Sequence, residues 1–238
     1  MRYSETIVKG TFEDRPNRFI AHVNVEGKRE TVHVKNTGRC RELLVPGAAV
    51  WLALSDNPER KTKYDLVAAE KKRTDGSVLL VNIDSQLPNA VAAEWIPVSG
   101  LFSEGAVVRR EVTHGDSRFD LYVEDGGRKA FIEVKGCTLE ENGICRFPDA
   151  PTERGVKHVN GLMKAAEEGY EAYLLIIVPM EGMKLFRPND DTHPQFGAAL
   201  RKAAASGVRL LVCGCSVTPE EVTVSCRIPY DLAECVPT

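Results

Sequence analysis

Three ionisable residues stand out because of the runs they interrupt. Glu133 and Lys135 break the apolar stretch Ala130-Phe131-Ile132-Glu133-Val134-Lys135. Side chains alternate across a strand, so Glu133 and Lys135 share one face and Val134 takes the other. Asp120 lies in the preceding strand-like run, Ser-Arg-Phe-Asp-Leu-Tyr-Val-Glu (117–124), and the intervening Glu-Asp-Gly-Gly-Arg-Lys favours an antiparallel hairpin. Paired strands bring Asp120 near Glu133. Two carboxylates and a lysine on one sheet face form a candidate site for phosphodiester hydrolysis. Asp120 and Glu133, with the carbonyl of Val134 as a third ligand, suit Mg²⁺ or Mn²⁺, hard cations that prefer oxygen and keep several waters. Such a metal polarises a phosphate and lowers the pKa of a water, while Lys135 orients that water or stabilises developing charge. Taken alone, Glu-x-Lys reads more readily as a same-face salt bridge on a solvated strand, and the upstream Asp120 and the helix that follows bring the two readings level.

The stretch Phe-Pro-Asp-Ala-Pro-Thr-Glu-Arg-Gly-Val-Lys-His (147–158) carries more charge than a core helix needs. Glu153 and Lys157 are four apart, as are Arg154 and His158, so each pair occupies one helical face. One reading is ordinary helix pairing, worth tenths of a kcal/mol. The other puts Arg154, Lys157 or His158 beside the carboxylates, where they meet a phosphate.

These residues need elements to hold them. From about residue 107 the pattern is α/β: three strands, a helix over 152–170 capped by Thr152 or Asp149, and a continuous apolar strand, Glu171–Pro179. A helix over 196–207, ended by Gly207, and two closing strands follow. The first part is all-β, with short alternating strands at 19–25, 30–35, 48–54, 64–71 and 77–83. Five such strands suit an oligonucleotide-binding (OB) barrel, and an SH3-like barrel fits as well. A helical segment over 85–96 joins the two parts, so the division falls at 1–84 and 85–238. In the barrel, Arg18, Lys35, Asn36 and Arg39 sit at strand ends or in the loop Lys-Asn-Thr-Gly-Arg (35–39) and can contact phosphates. That loop also reads as a simple polar turn.

Composition narrows the class without naming a partner. The net charge is −3, but residues 1–85 carry +3 and residues 86–238 carry −6, a modest hint that the first part meets a polyanion. No apolar run is long enough to span a membrane, and the N-terminus lacks the apolar core of a signal peptide. Seven cysteines without a Cys-x-x-Cys pattern, with Cys213 and Cys215 read as small buried thiols, point to a reducing cytoplasm.

The combined motifs Ser-Arg-Phe-Asp, Phe-Ile-Glu-Val-Lys-Gly-Cys-Thr-Leu and Phe-Pro-Asp-Ala-Pro-Thr-Glu-Arg-Gly-Val-Lys-His resemble the sugar fermentation stimulation protein family. Gly136 and Pro151 replace the serine and valine commoner there. The resemblance extends to Asn-Thr-Gly-Arg-Cys-Arg-Glu-Leu-Leu-Val-Pro-Gly (36–47), Arg-Pro-Asn-Arg-Phe (15–19) and the run Val81–Val91. It implies an OB-like barrel followed by a restriction-endonuclease-like PD-(D/E)xK domain, with Asp120, Glu133 and Lys135 as the motif residues and Glu111 as a further acidic group. It implies DNA binding, with two readings: a metal-dependent nuclease, or a non-catalytic, sequence-nonspecific DNA-binding regulator linked to sugar (maltose) metabolism. RNA is a second candidate partner, and a homo-oligomer stays open.

Overall fold

The structure is a computed structural model that describes residues 1–36 and 38–234. Its first part is built from β1 (Ile7–Asp14), β2 (Ile20–Val25), β3 (Lys28–Val34), β4 (Ala49–Leu54), β5 (Tyr64–Lys72) and β6 (Val78–Asn82). In β2 the alternation works as expected: Ala21, Val23 and Val25 are buried, and His22 and Asn24 face outward. β1 pairs with β2 and β4, β4 with β5, and a short parallel contact of β3 with β5 closes the ring. This is a closed five-stranded barrel of the OB type. Its five strands are β1 to β5. The sequence pattern counted β6 in place of β1, but β6 pairs with β5 outside the ring. β1 escapes the alternation test because Gly10 supplies one of its buried positions, packed so tightly that a Cβ would meet Val23 at 2.5 Å.

Beyond the barrel come α1 (Leu87–Trp95), β7 (Val107–His114), β8 (Ser117–Asp125), β9 (Arg128–Gly136), β10 (Leu139–Glu141), β11 (Ile144–Phe147), α2 (Glu153–Glu167), β12 (Glu171–Val178), β13 (Leu185–Pro188), α3 (Pro194–Ala205), β14 (Arg209–Val217) and β15 (Val222–Arg227). Six of the strands form a mixed sheet in the order β15-β14-β12-β9-β8-β7, parallel at β9–β12–β14 and antiparallel at its flanks. β12 is buried from Ala172 to Val178, as a strand covered on both faces must be. α1 packs on one face, with Leu87 and Val91 against Ile132 and Val134; α2 and α3 cover the other, with Val159 and Leu162 beside Phe131. Thr152 caps α2, its hydroxyl accepting from the Gly155 N–H at 3.0 Å. β10, β11 and β13 form a small separate sheet that the sequence pattern did not separate.

The β8–β9 hairpin turns at Gly126 and Gly127, with φ of 54° and 96°, the positive values that a two-residue hairpin of matching twist requires. One apolar cluster runs from the barrel (Val23, Leu52) through Phe131 to Val159 and Leu174, so the barrel and the α/β part share a core. No helix among the described residues is long and apolar enough to cross a membrane.

Candidate active site

The site begins where the sheet loses its regularity. The β8–β9 ladder stops at Leu121↔Ile132, and the β7–β8 ladder passes from Arg110↔Leu121 to Val112↔Phe119. Asp120 is therefore registered with neither neighbour, and Glu111, level with it on β7, adopts a φ of 54°. The released carboxylate takes over a ladder bond: Asp120 Oδ2 accepts from the Val134 N–H at 2.7 Å. Its other oxygen, Oδ1, accepts from the side-chain amide of Asn89 on α1 at 2.7 Å. Burial pushes the Asp120 carboxyl above its ordinary pKa, and the Glu133 carboxylate beside it adds to that shift; the Val134 and Asn89 bonds and the Lys135 charge oppose it.

Glu133 is 1% exposed, and a carboxylate so deep requires partners. Lys135 Nζ stands 2.5 Å from Glu133 Oε1, and His158 Nδ1 contacts the same oxygen. Lys135 Nζ and His158 Nδ1 are 3.3 Å apart. Arg154 Nε–H donates to His158 Nε2 at 3.3 Å. Burial alone would raise the Glu133 pKa, but the His158 and Lys135 hydrogen bonds and the ammonium charge outweigh it and hold it below the usual glutamate range.

Asp120, Glu133 and Lys135 thus lie together at one end of β8 and β9, with Arg154 and His158 arriving from the first turns of α2. Val134 turns its side chain into the apolar cluster under α1, and its backbone N–H ties it to Asp120. Glu111 stands apart: it is exposed, its carboxylate lies 3.6 Å from Arg118, and no hydrogen bond or ion pair among the described residues joins it to Asp120 or Glu133. Lys157 is exposed beside a groove shared with His114 and Lys164. The Glu153–Lys157 helix pair does not form, because Glu153 reaches His193 at the α3 N-terminus, 3.1 Å away.

The barrel candidates separate into two kinds. Lys35 is ion-paired with buried Asp84 at 2.8 Å. Asn36 spends its side chain on the Ile83 carbonyl at 2.8 Å and the Gly38 N–H at 2.7 Å. Arg18 and Arg39 are exposed and ion-paired with no carboxylate among the described residues. Two residues with clear roles escaped the motif reading. Asn89 lies inside the Val81–Val91 run, but nothing in its type or spacing marks it as a partner of Asp120. Arg15 donates from Nη1 and Nη2 to the carbonyls of Gly38, Arg39, Arg18 and Asn36 at 2.7–2.9 Å. Main-chain acceptors carry no sequence signature, so this role is visible only in the fold.

The Asp120 and Glu133 carboxylates are hard oxygen donors, the kind that suit a divalent cation such as Mg²⁺, Mn²⁺ or Ca²⁺. No cluster of three or more His, Cys, Asp or Glu arranged to hold a metal occurs among the described residues. A cation here would therefore keep much of its shell as water.

An OB barrel followed by a mixed-sheet α/β domain with paired carboxylates at a strand end defines a class of two-part proteins. Residues 86–221 match the profile described as the sugar fermentation stimulation protein RE domain, and residues 14–81 match the SfsA N-terminal OB domain. The chain belongs to the sugar fermentation stimulation protein family. It is 49% identical over 234 residues to a sugar fermentation stimulation protein homolog of Desulfitobacterium hafniense strain Y51, covering 98% of this chain and 100% of that one. A homolog from Clostridium beijerinckii is 46% identical, covering 94% and 96%. Among solved structures, Pyrococcus furiosus SfsA in complex with Ca²⁺ superposes with a TM-score of 0.84 at 26% identity, covering 97% of this chain and 98% of that one.

Proposed function

We propose that this protein is a DNA-binding, divalent-metal-dependent nuclease whose reaction centre is Asp120, Glu133 and Lys135. The observation that carries the reading is the local cost of the site. β8 gives up its ladder at Asp120, and a nearly fully buried Glu133 is kept charged, so that two carboxylates stand side by side. A structural ion pair needs only one carboxylate for Lys135; the second, with its raised pKa, adds repulsion that a cation relieves. The Ca²⁺ in the Pyrococcus furiosus structure agrees with a divalent cation in this family. Asp120, Glu133 and the Val134 carbonyl would hold the cation here, with Mg²⁺ first and Mn²⁺ second as the working ion.

When bound, such a cation polarises a phosphate oxygen and lowers the pKa of a water. The chain's own groups do the rest. Asn89 and the Val134 N–H fix the Asp120 carboxylate, so it arrives oriented without a reorganisation cost. Lys135 Nζ, beside Glu133 Oε1 at 2.5 Å, would face the phosphate and stabilise the charge that grows during attack. His158 and Arg154 lie next along α2 to steady the phosphodiester, and Lys157 adds charge on the outer side of the helix. The barrel contributes Arg18 and Arg39 for phosphate contact, while Lys35 and Asn36 hold the loop that presents them. DNA is the partner proposed, with RNA the second candidate.

A second reading has its own observation. Both Asp120 oxygens and Glu133 Oε1 already have partners within the protein, so the constellation is self-satisfied as a scaffold. On that reading the protein is a non-catalytic DNA-binding regulator of sugar metabolism. Isothermal calorimetry with Mg²⁺ and Mn²⁺ separates the two at the level of the site. The nuclease reading expects weak one-site binding that Asp120→Asn and Glu133→Gln each abolish. Variants that titrate like wild type make the carboxylates structural.

A further inference from the structure

A recess of about 580 Å³ opens between the β1–β2 loop, the β3–β4 loop and the segment that leads into α2. Arg15, Arg18, Arg39 and Arg41 line it, with Ala150 and Pro151 forming its wall on the α/β side. Arg15 is its frame: four carbonyl acceptors from both barrel loops converge on its guanidinium and fix where Arg18 and Arg39 leave the main chain. Arg18, Arg39 and Arg41 are exposed, and none is ion-paired with a carboxylate among the described residues.

Such a gathering is unexpected in a chain that carries more acids than bases. Many of its other arginines are matched: Arg29 with Glu13 and Asp14, Arg60 with Asp65, Arg128 with Glu171, Arg187 with Asp231. Two acids stand near it: the Asp149 carboxylate lies against Gly38 and also faces a small cavity with Asn36 and Asp84, and Glu42 follows Arg41 in the chain; the four arginines outnumber them, and neither acid is ion-paired with them among the described residues. Like charges gathered on fixed loops repel one another, and an incoming anion removes that penalty. Planar guanidinium groups pair bidentately with phosphate oxygens, so the chemistry of the recess is that of a phosphate group.

The position of the recess says which phosphate. Pro151 runs directly into the Thr152 cap and α2, whose first turns carry Arg154 and then His158, the residue that touches Glu133. Within α2 the rise from Glu153 to His158 is about 7.5 Å, and Pro151 and Thr152 lengthen the path by up to about 3.3 Å each, so the two ends lie within a few nucleotides of strand. Arg154 stands between the two ends, and the N-terminal dipole of α2 adds positive potential at the recess side. Lys135, His158 and Arg154 thus follow one another from Glu133 along the first turns of α2, which begins two residues beyond the recess wall at Pro151.

We infer that this recess holds a phosphate of the nucleic-acid strand a few nucleotides from the phosphate that reaches Asp120 and Glu133. The inference rests on the nucleic-acid reading above and adds to it a strand path and a minimum length. A strand too short to span the two sites leaves the recess empty; one that spans both fills it in a single step.

The test uses the full-length protein without metal and fluorescently labelled single-stranded thymidine oligomers of graded length, read by anisotropy across a salt series. Wild-type affinity should step upward at one length within the first few nucleotides, where the oligomer first spans both sites. In Arg39→Ala/Arg41→Ala the step should vanish and the salt slope should fall by about 0.7 for each phosphate no longer neutralised. If a 5′-phosphate strengthens wild-type binding and the double variant loses that gain, the recess takes a strand end; a step retained without a 5′-phosphate effect assigns it an internal phosphate. Wild-type affinity and slope in the double variant would overturn the inference and leave the nuclease reading standing. Wild type that binds no oligomer of any length would overturn both.

Discussion

Glu133 is the residue on which the site depends, and its protonation gives a direct test at that scale. His158 and Lys135 hold its pKa below 4.5, the value expected of an unperturbed glutamate. A depressed carboxylate contributes stability that is fully present above its unfolded pKa and lost as pH falls through the folded one. Glu133→Gln should therefore be less stable than wild type at pH 7 without metal, by about 2 kcal/mol, less than for a fully buried pair because Lys135 and His158 reach solvent. Urea denaturation across a pH series should show the gap closing as pH drops below the usual glutamate range. A gap independent of pH would mean that Glu133 is not held ionised by these partners. The residues of this site were legible because two charges in an apolar run and an upstream aspartate are rare enough to notice. Asn89 and Arg15 were not. One is an amide, 31 residues from Asp120 in the chain, that serves a single carboxylate oxygen; the other serves main-chain carbonyls.

At the scale of elements, α1 links the barrel to the reaction centre. It follows Asp84 and Ser85, which hold Lys35 of the barrel loop by an ion pair and by hydrogen bonds to its carbonyl, and it delivers Asn89 to Asp120. Its first turn presses Pro88 against Gly136 at the end of β9, where a Cβ would lie 2.7 Å from Pro88 Cγ. This close approach explains why glycine stands where the family pattern commonly has serine. Gly136→Ser should push α1 outward and destabilise the protein by about 1–3 kcal/mol, the usual range for overpacking. Because Asn89 is one residue on from Pro88, the same variant should weaken cation binding measured by calorimetry. Unchanged stability and unchanged binding would mean that α1 is not pinned at this contact. Most elements were readable from periodicity: β2 to β9, the capped α2, the buried β12 and α3 all fall close to their sequence positions. β1 was lost to its glycine, and β10, β11 and β13 are too short to show a period.

The whole molecule behaves as a barrel and an α/β unit fused through one apolar cluster rather than joined by a tether. A buried ion pair reinforces the seam: Lys71 of β5 meets Glu140 of β10 at 2.7 Å, and the same glutamate accepts from the Gly143 N–H at 2.8 Å. The change of texture near residue 85 made the two parts legible, but a shared core leaves no periodic mark, since each buried residue looks the same whichever unit it packs against. Trp51 lies in the barrel and Trp95 in α1, so each reports on one side of the seam. In each of Trp51→Phe and Trp95→Phe, the fluorescence of the remaining tryptophan and the far-ultraviolet circular dichroism should give one urea midpoint, as one cooperative unit requires. Glu140→Gln should lower the stability that both probes report by about 2 kcal/mol or more. Midpoints that differ between the two signals within either variant would contradict a shared core.

The central claim is that the paired carboxylates and Lys135 do chemistry rather than hold a scaffold. The measurement that tests it most directly is metal-dependent cleavage of single- and double-stranded DNA by wild type, Asp120→Asn and Lys135→Met, with DNA affinity determined on the same preparations. Lys135→Met keeps the packed stem and removes only the charge. Wild type should cut with Mg²⁺ or Mn²⁺ and stop on chelation. Both variants should bind DNA nearly as wild type does yet cleave at least about a hundredfold more slowly, the scale of losing one group that stabilises the transition state. Rigorously purified wild type that binds DNA but never cuts it, across metals and DNA forms, would contradict the claim and leave a DNA-binding regulator built on a nuclease fold.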